Sequence, residues 1–183
     1  MFLMPGSRAR SGILVPDIKL LNVLRANNST SLADVTSLTK GFNYYEIVLT
    51  NVQPATNAVD LRLRVNSGGT VQTTSYVATV GYTAGSGFGN GTATTFIPLN
   101  GSGRVQNTGG VGVSGIVRLH GNPVTTTTIK HFEGSSAYNV GASSTDAAFF
   151  AGYWNSTAAI VGFEFSFSSG NITSGTIEVY ARF

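Results

Sequence analysis

"AAIVGFEFSFSSGNITSGTIEVYARF", residues 158–183, decides how the chain is read. Apolar and polar residues alternate in two runs separated by the turn-forming stretch Ser168-Ser169-Gly170-Asn171. The first run predicts Ala159, Val161, Phe163, Phe165 and Phe167 facing inward, with Glu164 and Ser166 outward. The second predicts Ile177, Val179, Ala181 and Phe183 on one face and Glu178, Tyr180 and Arg182 on the other. A period of two over such lengths marks half-buried strands. Two antiparallel strands with stacked apolar faces form the simplest pairing, so the reading here is a closing hairpin with Phe183 as its last core residue.

The same pattern runs upstream. Tyr45, Ile47 and Leu49 alternate within "NYYEIVLT". Leu61, Leu63 and Val65 oppose Asp60, Arg62 and Arg64, and Val117 and Leu119 oppose Arg118 and His120. Glycine-dense segments at 66–70, 81–93, 100–110 and 139–144 read as loops, because glycine removes helix propensity and permits turn geometry. Further strands are expected near 75–80, 94–99, 124–132 and 146–152. Nine or ten short strands predict an all-β fold, an antiparallel β-sandwich or jelly roll over residues 41–183. Residues 1–40 read as an N-terminal extended arm with a lead-in strand.

Composition narrows the functional classes. The 183 residues include no cysteine, which removes disulfides, thiolate metal sites and thiol nucleophiles together. Charged side chains make up 10% of the chain, against about 25% in an average domain; Gly, Ser, Thr and Asn stand in their place. Such a surface suits a protein packed against others. The net charge of +3 is spread thinly, with Arg8/Arg10 and Arg62/Arg64 the only close basic pairs, so no nucleic-acid footprint is expected. The start, "MFLMPGSRARSGILV", lacks the order of a signal peptide, and no apolar run approaches the roughly 20 residues of a membrane helix. The Asn-x-Ser/Thr triplets beginning at Asn27, Asn28, Asn90, Asn100, Asn155 and Asn171 read as a by-product of loop composition.

Catalytic motifs are sparse. His120 and His131 lack the spacing of a zinc pair and read as solvent-facing strand residues. Acids such as Glu46 and Glu164 occupy the polar phase of strands. Neither a nucleophile elbow nor a phosphate-binding Gly-Lys-Ser/Thr is present, and "GSGFGNG" does not follow a buried parallel strand as a dinucleotide loop would. The expectation is a protein that is not an enzyme and needs no metal or cofactor. Aromatics supply the binding candidates. Tyr153 and Trp154 in "FFAGYWNST", with Tyr76 and Tyr82 beside another loop, form a candidate ligand surface; the competing reading is that Trp154 caps the core. At the other end, Met1, Phe2, Leu3, Met4, Arg8 and Arg10 form a candidate assembly arm, because the apolar head lies outside the alternating region.

The run "AGYWNSTAAIVGFEFSFSSGNITSGTIEVYARF" resembles the ending of a family of tailed-bacteriophage virion proteins. Those endings have a Trp-x-Ser turn, an alternating strand, a Ser-Gly-Asn turn and a closing Ser-Gly-Thr-Ile-x-x-Tyr strand. Trp154, Ser156, Ala159, Ile160, Gly170, Asn171, Gly175, Thr176, Ile177 and Tyr180 fall on that pattern. Upstream, "FNYYEIVLTNVQPATNAVDLRLRVNSGG" is similar in its Tyr-rich strand, its Asn-Val to Pro connection and its arginine-bearing strand. Family members finish in Leu-Tyr-Gly, where this chain has Val179-Tyr180-Ala181-Arg182-Phe183. The resemblance implies a structural protein on the virion exterior, a tail fibre, spike or head decoration. It implies a homo-oligomer, such as a trimer, bound to other virion proteins through the arm and to a host-surface glycan. The rival expectation is a stand-alone carbohydrate-binding sandwich.

Overall fold

Period-two alternation becomes strand wherever the sequence carries it. The computed structural model describes residues 18–35, 37–38, 42, 44–85 and 87–182. Among these, thirteen strands run in chain order: β1 Ile18–Arg25, β2 Leu32–Asp34, β3 Tyr44–Pro54, β4 Leu61–Ser67, β5 Thr70–Val71, β6 Tyr76–Ala84, β7 Gly87–Ala93, β8 Ile97–Pro98, β9 Val113–His120, β10 His131–Gly141, β11 Ser144–Trp154, β12 Gly162–Phe167 and β13 Ile172–Arg182. Eight of them form one sheet in the order β1-β13-β3-β9-β10-β11-β6-β7. The second sheet holds β2-β12-β4-β5, with β8 also paired to β4. The named strands pair antiparallel.

The inward faces of the two sheets share one core. Phe132 of β10 meets Phe163 of β12 edge-on, ring centroids 6.2 Å apart. Tyr45, Ile47, Leu61, Leu63, Val117 and Leu119 are all buried, as their alternation predicts. Each such side chain contributes about 1.5–3 kcal/mol on burial. The architecture is a β-sandwich.

The closing hairpin is not formed. β12 pairs with β2 and β4, whereas β13 pairs with β1 and β3 in the other sheet. Residues 168–171 carry the chain from one sheet to the other, helped by Gly170 at a φ of 72°. Alternation records which face is buried, and both strands bury toward the same core, so the pattern could not identify their partners. The first run also starts late: residues 158–161 precede β12, and Ile160 is buried where Val161 is only half-buried. Ile177, Val179 and Ala181 are buried as expected; Phe183 lies outside the described residues.

Other boundaries shift as well. The glycine-rich segment 81–93 forms the hairpin β6–β7 instead of a loop. A Cβ on Gly89 would sit 2.5 Å from the Tyr82 ring, so glycine is there to admit that ring. The strand expected at 124–132 shrinks to His131 and Phe132 at the start of β10. Before it, Lys130 is buried and its Nζ donates to the carbonyls of Thr125, Thr157 and Ala158 at 2.6, 2.8 and 2.9 Å. The sandwich also begins before residue 41, since β1 and β2 are integral to the two sheets. The proposed arm residues Met1, Phe2, Leu3, Met4, Arg8 and Arg10 lie outside the described residues.

Candidate functional site

The outward face of the eight-stranded sheet gathers side chains that sequence distance keeps apart. Register places Arg182, Tyr44, His120, His131, Tyr153 and Val77 in one row across β13, β3, β9, β10, β11 and β6. With strands about 4.8 Å apart, such a row spans roughly 24 Å. Tyr44 stacks with His120 at 6.0 Å, and His131 packs against Tyr153 at 5.3 Å. The Arg182 guanidinium lies 5.9 Å from the Tyr44 ring centre.

Alongside this row, on the same face, sits a lattice of paired charges. Glu46 is buried beneath two guanidinium groups: Arg182 Nη2 reaches its Oε1 at 2.5 Å and Arg118 Nε its Oε2 at 3.2 Å. His120 Nε2 lies 3.1 Å from Glu133 Oε1, and Tyr180 donates its hydroxyl proton to Glu178 at 2.9 Å. The bond to Glu46 raises the Arg182 pKa, and the bond to Glu178 raises that of Tyr180. Both histidines are exposed on the sheet, as the sequence predicts.

Further along the same face the chemistry turns apolar. Ile116, Ser135, Ala137, Ala147 and Phe149 line an open trough of about 320 Å³. A notch of about 140 Å³ lies beside it, between Phe149 and Phe88 over Gly81. Phe88 is 91% exposed and Phe149 71%. Ile18, Leu20 and Val77 are also exposed, and their register places them on this face. Ile18 and Leu20 lie on the opposite edge strand, so the contiguous apolar patch is the end bearing Phe88 and Phe149, a feature typical of contact surfaces.

Of the candidate ligand residues, Tyr153 alone belongs to this face. Tyr76 and Trp154 are register partners on the inward side of β6 and β11 and are buried. Tyr76 bridges the sheets: its hydroxyl accepts from the Val65 N–H at 2.9 Å and donates to the Gln72 carbonyl at 3.0 Å. Burial pushes its phenol up to about 12. These two are therefore core residues, not surface ligands. Alternation explains why "FFAGYW" misleads: Phe149 and Tyr153 share the outward phase, and Phe150 and Trp154 share the inward one.

Tyr82 takes the inward phase of β6 at a different place, with the Arg104 guanidinium 5.6 Å from its ring centre. Arg104 holds the buried Asp146 through Nε at 2.7 Å and Nη2 at 2.5 Å, which raises the Arg104 pKa. Arg104, Gln106, Thr145 and Asp146 line an open cleft of about 420 Å³ there. Sequence reading missed Tyr44, His120, His131 and Arg182 as a set, because only the strand order brings them together. Among the described residues, no group of three His, Cys, Asp or Glu is placed to hold a metal ion.

No family model matches the chain, and the searches of curated proteins and of solved structures return no match either. Fold and face define the class: an all-β sandwich whose larger sheet presents an aromatic, imidazole and apolar surface.

Proposed function

We propose that this chain is a non-catalytic structural module of a tailed-phage virion exterior, a tail fibre, spike or head decoration, that works by assembly and adhesion. The observation that carries the reading is the apolar end of the larger sheet's outward face, where Phe88 and Phe149 stand exposed on either side of an open notch. The terminal motif from Trp154 to Tyr180 supports the virion assignment through its resemblance to phage structural proteins. The acids support contact over catalysis, since Glu46, Glu133, Asp146, Glu164 and Asp60 are each engaged by a basic side chain. Many copies on one particle would multiply weak contacts into strong attachment. Antibody-gold electron microscopy of purified particles tests this. Label at a fixed position on the particle is expected; protein that stays entirely in the soluble fraction of lysed cells overturns it.

A glycan-binding reading draws on a separate observation, the row of Tyr44, His120, His131 and Tyr153. Flat rings at regular spacing offer area to successive sugar units at low entropic cost. A glycan array would show binding lost in Tyr153→Ala and Tyr44→Ala. Because Trp154 is buried, it is not the residue to change.

A further inference from the structure

Among the described residues the sandwich has four sheet edges, and three of them are blunted. In the smaller sheet one edge is β2, with three residues, and the other is shared by β5 and β8, with two each, β8 ending in Pro98. In the larger sheet β1 carries Lys19 and Arg25 and is interrupted by a register shift between Leu20 and Asn22. Shortness, charge and bulges are the devices by which an edge avoids pairing with other chains.

The fourth edge, β7, has none of them. Gly87–Ala93 reads "GFGNGTA", with no charge and no proline. Its register against β6 is unbroken from Ala93 to Gly87. Its inward positions hold only glycine and alanine, so no large side chain of β7 itself projects on that side, while Phe88, Asn90 and Thr92 are exposed outward. Among the described residues no strand pairs with its outer side, along which seven residues present about 23 Å of edge with outward-pointing backbone donors and acceptors at alternate positions. Beside them lies the apolar notch between Phe88 and Phe149.

We propose that β7 is the pairing edge for a second copy of this chain, joining the two larger sheets into one continuous antiparallel sheet. The occupant follows from the chemistry of the edge. Antiparallel pairing about a two-fold axis is self-complementary. Two uncharged β7 strands approach without repulsion, whereas two β1 strands would oppose Lys19 and Arg25. Under that symmetry both outward faces lie on one side, and both Phe88 rings cover apolar surface now open to water. The inference stands independently of the virion reading.

Sedimentation equilibrium of the full chain tests it, with hydrogen exchange of the β7 amides as a second readout. A dimer is expected, with β7 amide exchange slowing as concentration rises. The exposed substitutions Asn90→Lys and Thr92→Lys together should return a monomer with an unchanged circular dichroism spectrum and a melting temperature that no longer rises with protein concentration, matching wild type at dilutions where it dissociates. A monomer at all concentrations overturns the proposal, as does a trimer. So does a dimer that survives the lysine pair, or one that Phe149→Ser alone dissolves while the lysine pair does not, because the contact would then be the sheet face.

Discussion

Replacing Tyr76 with Phe removes one oxygen and leaves the buried ring in place. In the intact protein that oxygen accepts the Val65 N–H and donates to Gln72, tying β6 to the smaller sheet. A buried N–H without a partner costs about 1–3 kcal/mol, so Tyr76→Phe should lower stability by about 2 kcal/mol at neutral pH. For a chain of this size that corresponds to a melting temperature lower by roughly 4–8 °C. Alkali supplies the sharper test. The phenol is raised from 10.0 to about 12 in the folded state, so the folded protein holds this proton where the unfolded chain has released it. Its contribution is complete below the unfolded value and is lost as pH rises through about 12. A shift of that size amounts to about 3 kcal/mol, comparable with the neutral-pH gap between wild type and variant. That gap should therefore close near the folded value. Urea titrations of both proteins across the alkaline range measure it. A variant equal in stability to wild type at neutral pH, or a gap independent of alkaline pH, would refute the bridging role of Tyr76.

Phe163→Ala empties the ring site against Phe132 and Phe165 and should cost about 3–5 kcal/mol, read as a lower urea midpoint. Gly89→Ala forces a Cβ into the Tyr82 ring; a loss of about 1–3 kcal/mol is expected, with β7 amides exchanging faster than the rest of the sheet. Glu46→Gln leaves Arg118 and Arg182 facing each other across a neutral amide. Because both guanidinium groups are partly exposed, the expected loss is about 1–2 kcal/mol, and it should shrink when denaturation is repeated in high salt.

Alternation made the inward residues legible. Tyr45, Ile47, Leu61, Leu63, Phe163, Phe165, Ile177 and Val179 are where their phase puts them, because a sheet with one buried face imposes a period of two on any sequence. Partnership was not legible. β12 and β13 are neighbours in sequence with matching apolar phases, yet they belong to different sheets, and nothing local distinguishes a turn within a sheet from one between sheets. β7 was hidden for another reason. Gly89 serves the Tyr82 ring, and a residue chosen for the space it leaves empty looks in sequence like a residue chosen for flexibility. Lys130 shows the same limit: its carbonyl partners Thr125, Thr157 and Ala158 are set by two loops meeting. The outward row was half visible, since Tyr153 could be named, but its neighbours come from strands up to 138 positions apart in pairs such as Arg182 and Tyr44.

The placement of charge on the outward face bears on how it could make contacts. Its carboxylates are already engaged: Glu46 by two arginines, Glu133 by His120, and Glu178 by Tyr180. A partner settling there meets few unpaired ions, so little of the binding free energy is lost to stripping water from isolated charges. The exposed Phe88 and Phe149 then contribute area that no charge opposes. Long-range steering is given up in exchange, because a face of internally paired charges projects only a weak field. Slow encounter with durable contact suits a module held in many copies, where the first attachment brings the next surface within reach.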